Sequence, residues 1–395
     1  MALQFNTNSR LEDADPTHIY IDLSIVNNDW DGNEGPKPLI FNEIRNSPYV
    51  LQPNKYFFSV VRFELDTPSL PVFVPLIETN QPDVNKTVYK IGITYAGGEY
   101  TATIYWESNI FPAPVPSGGV GARQVASPYY YGFSYTNFLE KINNTLLTLF
   151  NSIPGKPTGI LPPRFSYDEN QNRMQFQADC RYFINGATSI APTTAFSIYV
   201  NGPLYKLLSG FDWYDFGMPI TNAYMNPLQY RLRVYETLNN LQFRKSPPGA
   251  LTTVFDIIMT SEQLDIALWN PVKSLVFSSG LIPISPTLTS PPKSASGVAL
   301  TSYGNNSNLS TQLTDFEVPF TPNNTYKNTV NYNPTSEYRL IDVLSDIPLN
   351  AIDVSVFWKD IYGNLNPFTL ASGCNASIKL MFRRKDFNNT EYMNR

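Results

Sequence analysis

Apolar and polar residues alternate with a period of two through much of this chain, and that pattern dictates most of what it can fold into. In Ile19-Tyr20-Ile21-Asp22-Leu23-Ser24-Ile25 the odd positions are apolar and the even ones mostly polar, as in a strand with one buried face. Residues 56–65 (YFFSVVRFEL) begin apolar on both faces, which predicts a central strand covered on both sides. Tyr89, Ile91, Ile93 and Tyr95 alternate up to Ala96-Gly97-Gly98, then Tyr100, Ala102, Ile104 and Trp106 alternate away, which reads as a hairpin. A second hairpin turns at Asn170-Gln171-Asn172, between Phe165 and Tyr167 on one arm and Met174, Phe176 and Ala178 on the other. Further strand-like segments are Phe196–Val200, Arg231–Tyr235, Leu251–Thr260, Val272–Phe277, Leu313–Val318, Ile352–Trp358 and Ser377–Phe382.

Helical periodicity is scarce by comparison. Thr136 can cap a helix that places Leu139, Ile142, Leu146 and Leu149 on one face. Leu204–Leu208 reads as a short helical turn, and Ser261 before Glu262-Gln263-Leu264 gives a capping signal for another. The 33 prolines favour turns and edge strands over long helices, while 25 Tyr and 25 Phe suit half-buried pleated surfaces. The predicted class is all-β: antiparallel jelly-roll sandwiches, two of them, with a few short helices. Immunoglobulin-like sandwiches give similar patterns, so strand counting does not separate the two.

At 395 residues the chain exceeds the usual size of one domain. A mixed run of aromatics, Gly and Pro from Phe211 to Pro227 places a boundary there. The expected division is an N-terminal sandwich over 1–215, a C-terminal sandwich over 216–385, and a tail over 386–395. Residues 107–132 and 285–311 read as long loops, and no repeat of 20–50 residues is evident.

The net charge of −5 provides no global field for nucleic acid. One concentrated basic run, Arg383, Arg384 and Lys385, reads first as a solvated tail that follows a final strand. Cys180 and Cys374 are too few and too far apart for a disulfide framework and suit a reducing compartment. The sequons at Asn85, Asn143, Asn305, Asn308, Asn323, Asn375 and Asn388 arise readily in an Asn-rich chain. The opening MALQFNTNSRLEDADP lacks an apolar signal core, and no stretch has the length of a membrane-spanning helix. A soluble protein that is not secreted is expected.

Motifs for chemistry are weak. His18, the one histidine, lies near Asp13 and Asp15, but a histidine at a strand entrance is the more ordinary reading. Asp29-Trp30-Asp31-Gly32-Asn33 resembles a calcium loop only superficially, because Glu34 and Ile40 stand where Gly and the bidentate Glu belong. Ser290-Pro291-Pro292-Lys293 has S-x-x-K spacing, yet its prolines preclude the helix that would bring Lys to Ser. Gly118-Gly119-Val120-Gly121 opens no helix and carries no phosphate-loop context. No catalytic residue, cofactor or metal is assigned. Tyr129-Tyr130-Tyr131 and Phe211-Asp212-Trp213-Tyr214 read as core or subunit contacts ahead of sugar platforms.

A resemblance enters in the C-terminal third. Leu268-Trp269-Asn270-Pro271-Val272-Lys273-Ser274-Leu275-Val276-Phe277-Ser278-Ser279, then Ile282-Pro283-Ile284, Leu313-Thr314-Asp315-Phe316, and above all Tyr338–Lys385 resemble the penton or minor capsid proteins of virophages and polinton-like viruses, which have double-stranded DNA genomes. The resemblance implies a non-enzymatic virion protein of jelly-roll architecture. It further implies a homopentamer at icosahedral vertices among capsomers of a major capsid protein, assembled inside the host cell. It leaves open whether an outward domain is inserted in, or appended to, the floor domain. On this reading Trp106, Tyr129, Tyr130, Tyr131, Trp213, Trp269 and Trp358 are interface or core anchors. Arg383, Arg384 and Lys385 become candidates for contact with genome or a neighbouring subunit. The competing readings are another virion part (spike, cement or major capsid subunit), a lectin-like receptor-binding module using Tyr129–Tyr131, and a β-sandwich glycosidase.

Overall fold

The computed structural model describes residues 16–28, 37–108, 113–116, 124–156, 159–171, 173–179, 196–215, 228–234, 257–262, 269–289, 308–318, 329–332, 339–361 and 363–385. Eight strands form a two-sheet sandwich: β1 (His18–Val26), β2 (Ile40–Ile44), β3 (Tyr56–Asp66), β4 (Val272–Ser278), β5 (Gln312–Glu317), β6 (Thr329–Tyr332), β7 (Ala351–Asp360) and β8 (Asn375–Arg384). One sheet runs β1-β8-β3-β6 and the other β5-β4-β7-β2. Every pairing is antiparallel, first with eighth, second with seventh, third with sixth and fourth with fifth. That nesting is a long hairpin rolled up, the jelly roll.

The alternation explains why the sheets close on one another. Phe58, Phe63, Leu65, Ile378, Leu380 and Phe382 from one sheet bury against Phe41, Leu275, Phe277, Ile352, Val354 and Val356 from the other. Phe63 meets Phe277 across the gap with ring centroids 5.0 Å apart. Each such side chain contributes about 1.5–3 kcal/mol when fully buried. Early β3 is covered on both faces, since Ser59 and Val61 are buried as well as Phe58 and Val60, whereas Arg62 and Glu64 are exposed.

The predicted halves do not correspond to the sheets. β1 to β3 share both sheets with β4 to β8, and a cut after residue 215 falls between the paired strands Trp213–Asp215 and Tyr230–Leu232. Sequence order hid this, because some 200 residues separate the end of β3 from the start of β4. The intervening segment builds its own sheets. Lys86–Tyr95 pairs with Gly98–Tyr105 through a turn at Ala96 and Gly97, both at positive φ (48° and 79°), a conformation glycine adopts at little cost. Ser197–Val200 lies on the other side of Lys86–Tyr95, and Arg164–Asp168, Arg173–Ala178 and Ile257–Thr260 form a separate three-stranded sheet.

Helix α1 (Tyr135–Ser152) packs on these sheets through Phe138, Leu139, Ile142, Leu146, Leu149 and Phe150. It begins before the expected cap: Ser134 is the N-cap, and its hydroxyl lies 2.6 Å from that of Thr136. Asn143 donates its side-chain amide to Phe165 O and accepts from Phe165 N, both at 2.7 Å, which ties the helix to the three-stranded sheet. The short helical turn is Gly202–Leu207, capped by Asn201. The readings at 29–34, 118–121, 180, 263–264 and 290–293 lie outside the described residues.

Candidate assembly surface

The aromatic anchors divide by burial. Trp106, Tyr130, Tyr131, Trp269 and Trp358 are all buried within one chain, so they are core and have no surface left for a partner. Phe138 is the hub: its ring lies 4.2 Å from Phe73, 5.1 Å from Trp269 and 5.9 Å from Trp106. Gly132 makes room here, since a Cβ at that position would come within 3.1 Å of the Trp106 ring. Trp269 Nε1 donates to Leu207 O at 2.6 Å. Tyr131 stands edge-on to Trp358 of β7 at 5.7 Å and so joins the intervening segment to the sandwich.

Tyr129 and Trp213 are only partly buried. Trp213 Nε1 donates to Leu208 O at 2.9 Å, and Tyr214 beside it is exposed, with the Arg231 and Arg233 guanidinia each 4.9 Å from its ring. Burial holds the hydroxyls of Tyr131 and Tyr135 well above the usual phenol range, and it pushes Tyr130 up to about 12 with help from the Asp83 charge. These are properties of an interior. They do not form a reactive pair.

The basic run is part of a sheet. Arg383 sits opposite His18 and Phe57, Arg384 sits opposite Tyr56, and both belong to β8. Lys385 pairs with Asp342 at 2.8 Å and lies over the Phe57 ring. Among the described residues no group of three His, Cys, Asp or Glu side chains is placed to hold a metal ion, and no helix is long and apolar enough to cross a membrane. Ser134, Tyr135, Thr136, Tyr167 and Glu169 line an open depression at the start of α1.

What the molecule does present is apolar surface and open sheet edges on the sandwich. Ile347, Ile44, Leu51 and Leu344 are 72%, 70%, 62% and 62% exposed. Ile44 ends β2 and the other three lie in loops at the same end of the sandwich, where Arg45 N donates to Asn350 O, Leu349 N to Val50 O and Leu344 N to Pro283 O. Asp353 braces this end, accepting hydrogen bonds from the Ser279 hydroxyl, Gly280 N and Leu281 N. On the side wall Tyr20, Val26 and Ile40 are also exposed. Sequence reading missed these positions. The available signal was a tyrosine and a valine in the otherwise polar even-numbered row of β1.

Comparison with known proteins gives consistent results. The family model of Sputnik minor capsid protein V18/19 matches residues 19–384. The uncharacterized protein V18 of Sputnik virophage is 33% identical over 158 residues, spanning 38% of this chain and 92% of that protein. Structural protein V19 of the same virophage is 24% identical over 226 residues, spanning 56% of this chain and 94% of its own length. A chain of the Sputnik virophage cryo-EM structure superposes with a TM-score of 0.69 at 26% identity, over 94% of this chain and 99% of that one. The mavirus penton protein shares the fold, with a TM-score of 0.56 at 16% identity over 93% and 99% of the two chains.

Proposed function

This chain belongs to the Sputnik minor capsid protein V18/19 family, and from that premise we propose that copies of it close into a five-membered ring at the vertex of an icosahedral capsid. Its role is structural and its place is the virion, as a minor component of the capsid shell. The observation that carries the vertex reading is the fold shared with a penton protein over nearly the whole length of both chains, sandwich and intervening segment together. The surface chemistry supports it. Among the described residues most of the exposed large apolar side chains lie on the sandwich, as in a part that works by contact.

In this reading the sandwich assembled from both ends of the chain is the capsid floor, and the segment between β3 and β4 is an inserted outward body. The protein catalyses nothing and meets the major capsid protein at the rim of the ring. The run Arg383–Lys385, at the sandwich end, contacts genome or an adjacent subunit. Neutralising all three residues lowers salt-dependent DNA retention if genome is the partner, and leaves it unchanged if the partner is protein. A glycan platform at Tyr129–Tyr131 finds no support, because Tyr130 and Tyr131 are buried.

Native mass measurement tests the ring directly. The expected assembly is about five times the 44.6 kDa chain mass. A stable monomer or trimer at micromolar concentration would sink the proposal.

A further inference from the structure

The sheet β1-β8-β3-β6 has two unlike edges: β1 on one side and, on the other, β6 with Ile341–Asp342, which pairs with the start of β3 beside it. Among the described residues β1 and β6 are each paired on one side only. Arg384 N donates to Thr17 O, and Asn27 N donates to Cys374 O. The odd-numbered residues of β1 therefore turn their backbone groups toward β8, and the even-numbered ones turn N–H and C=O outward. Tyr20, Asp22, Ser24 and Val26 have no backbone hydrogen bond on that outer side among the described residues. Long open edges are ordinarily blunted by proline, a bulge or a projecting lysine. β1 has none of these over nine residues in unbroken register. Its charged open position, Asp22, is already engaged within the sheet by Arg62 and Lys379, each at 3.3 Å. Tyr20 and Val26, at open positions, are 54% and 53% exposed.

N–H and C=O groups repeating along an edge are satisfied together by an extended backbone. A sheet open at both ends is completed by another copy of itself, with β1 of one copy against β6 of the next. That contact is head-to-tail, consumes one unlike edge strand from each copy, and leaves neither β1 nor β6 without a neighbour once a ring closes. We infer that the β1 edge is the seam between neighbouring copies and that its occupant is the β6 edge, Thr329–Tyr332, of the adjacent copy. The inference rests on the ring proposed above and supplies its contact.

Ser24→Pro is the discriminating change. The Ser24 N–H points away from β8, so proline there removes no bond of the β1·β8 ladder, and edge strands tolerate proline at such positions. It cannot donate to a neighbouring strand. Ser24→Val keeps the N–H and serves as control. The wild type and Ser24→Val should have the ring mass, and Ser24→Pro should melt cooperatively yet run as the single chain. A Ser24→Pro protein that keeps the ring mass overturns the seam and leaves the ring standing, whereas a wild type at single-chain mass overturns both. Should Ser24→Pro fail to fold, residue-resolved hydrogen exchange on the wild type decides. Protection of two or more of the amides of Tyr20, Asp22, Ser24 and Val26 in the assembly, lost on dissociation, supports the seam. Rapid exchange at all four in the assembly overturns it.

Discussion

Replacing Tyr130 with phenylalanine should make the protein more stable. Tyr130 ends a short 3-10 turn, Pro128–Tyr130, and its ring is fully buried. Its hydroxyl has no hydrogen-bond partner among the described residues. A buried hydroxyl without a partner costs about 1–3 kcal/mol, whereas the ring earns its full transfer energy with or without the oxygen. Tyr130→Phe keeps the ring and removes the uncompensated group, at the expense of a void the size of one oxygen. The expected net gain is about 1 kcal/mol. The pH dependence carries a second signature. Burial and the Asp83 charge raise the folded-state pKa to about 12, against about 10 in an unfolded chain. The folded state therefore holds this proton where the unfolded state has released it. The stability from this group is intact below pH 10 and falls as pH rises from 10 toward 12. The variant has no such loss at this position, so its advantage should widen across that window. Tyr131, Tyr135 and Tyr167 are shifted upward too, but they are common to both proteins and cancel in the difference. Denaturant unfolding of both proteins at about pH 8 and at steps up to about pH 11 measures the effect. A phenylalanine variant less stable than wild type by 1 kcal/mol or more at pH 8, or an advantage that stays flat above pH 10, would refute the reasoning.

Three further substitutions test the packing described here. Phe138→Ala empties the aromatic hub beneath α1 and should cost about 3–5 kcal/mol, with loss of near-ultraviolet dichroism from Trp106 and Trp269. Asn201→Ala strands the Val88 carbonyl and the Lys90 N–H that its side chain now bonds, and it removes the cap on Gly202–Leu207. Chemical denaturation should show a loss of about 2–3 kcal/mol. Asp353→Ala removes the acceptor for three donors at the sandwich end, two of which can rehydrate, so a loss of about 2 kcal/mol is expected in the same assay.

The strands were legible in the sequence, as were the partners within the two hairpins, but the long-range pairings of the sandwich were not. Ile19–Ile25, Ile352–Trp358 and Ser377–Phe382 each announced themselves by alternation, because burial on one face of a pleat imposes a local period. Pairing is not local. Nothing in residues 18–26 specifies 375–383, and the rolled-up nesting emerges only when all eight strands compete for two sheets. The boundary placed at 211–227 has the same cause: composition is read locally, and that run lies between β3 and β4 in the sequence rather than at either of them. The anchors are a different case. Tryptophan and tyrosine serve cores and interfaces by the same chemistry, so Trp106 and Trp358 read equally well as either until their burial is known. The exposed positions at Ile44, Leu344 and Ile347 lie at strand ends and in loops, where no period exists to be violated.

The pairing of His18 with Arg383 has a consequence for how the molecule is made. Synthesis delivers β1 hundreds of residues before the strand that completes its sheet, so the sandwich closes only after Arg384 has left the ribosome. The α1 sheets have their strands in hand much earlier and can consolidate first. Until β8 arrives, β1 and β3 have no neighbour between them, and that interval is when their facing edges lie open to wrong partners.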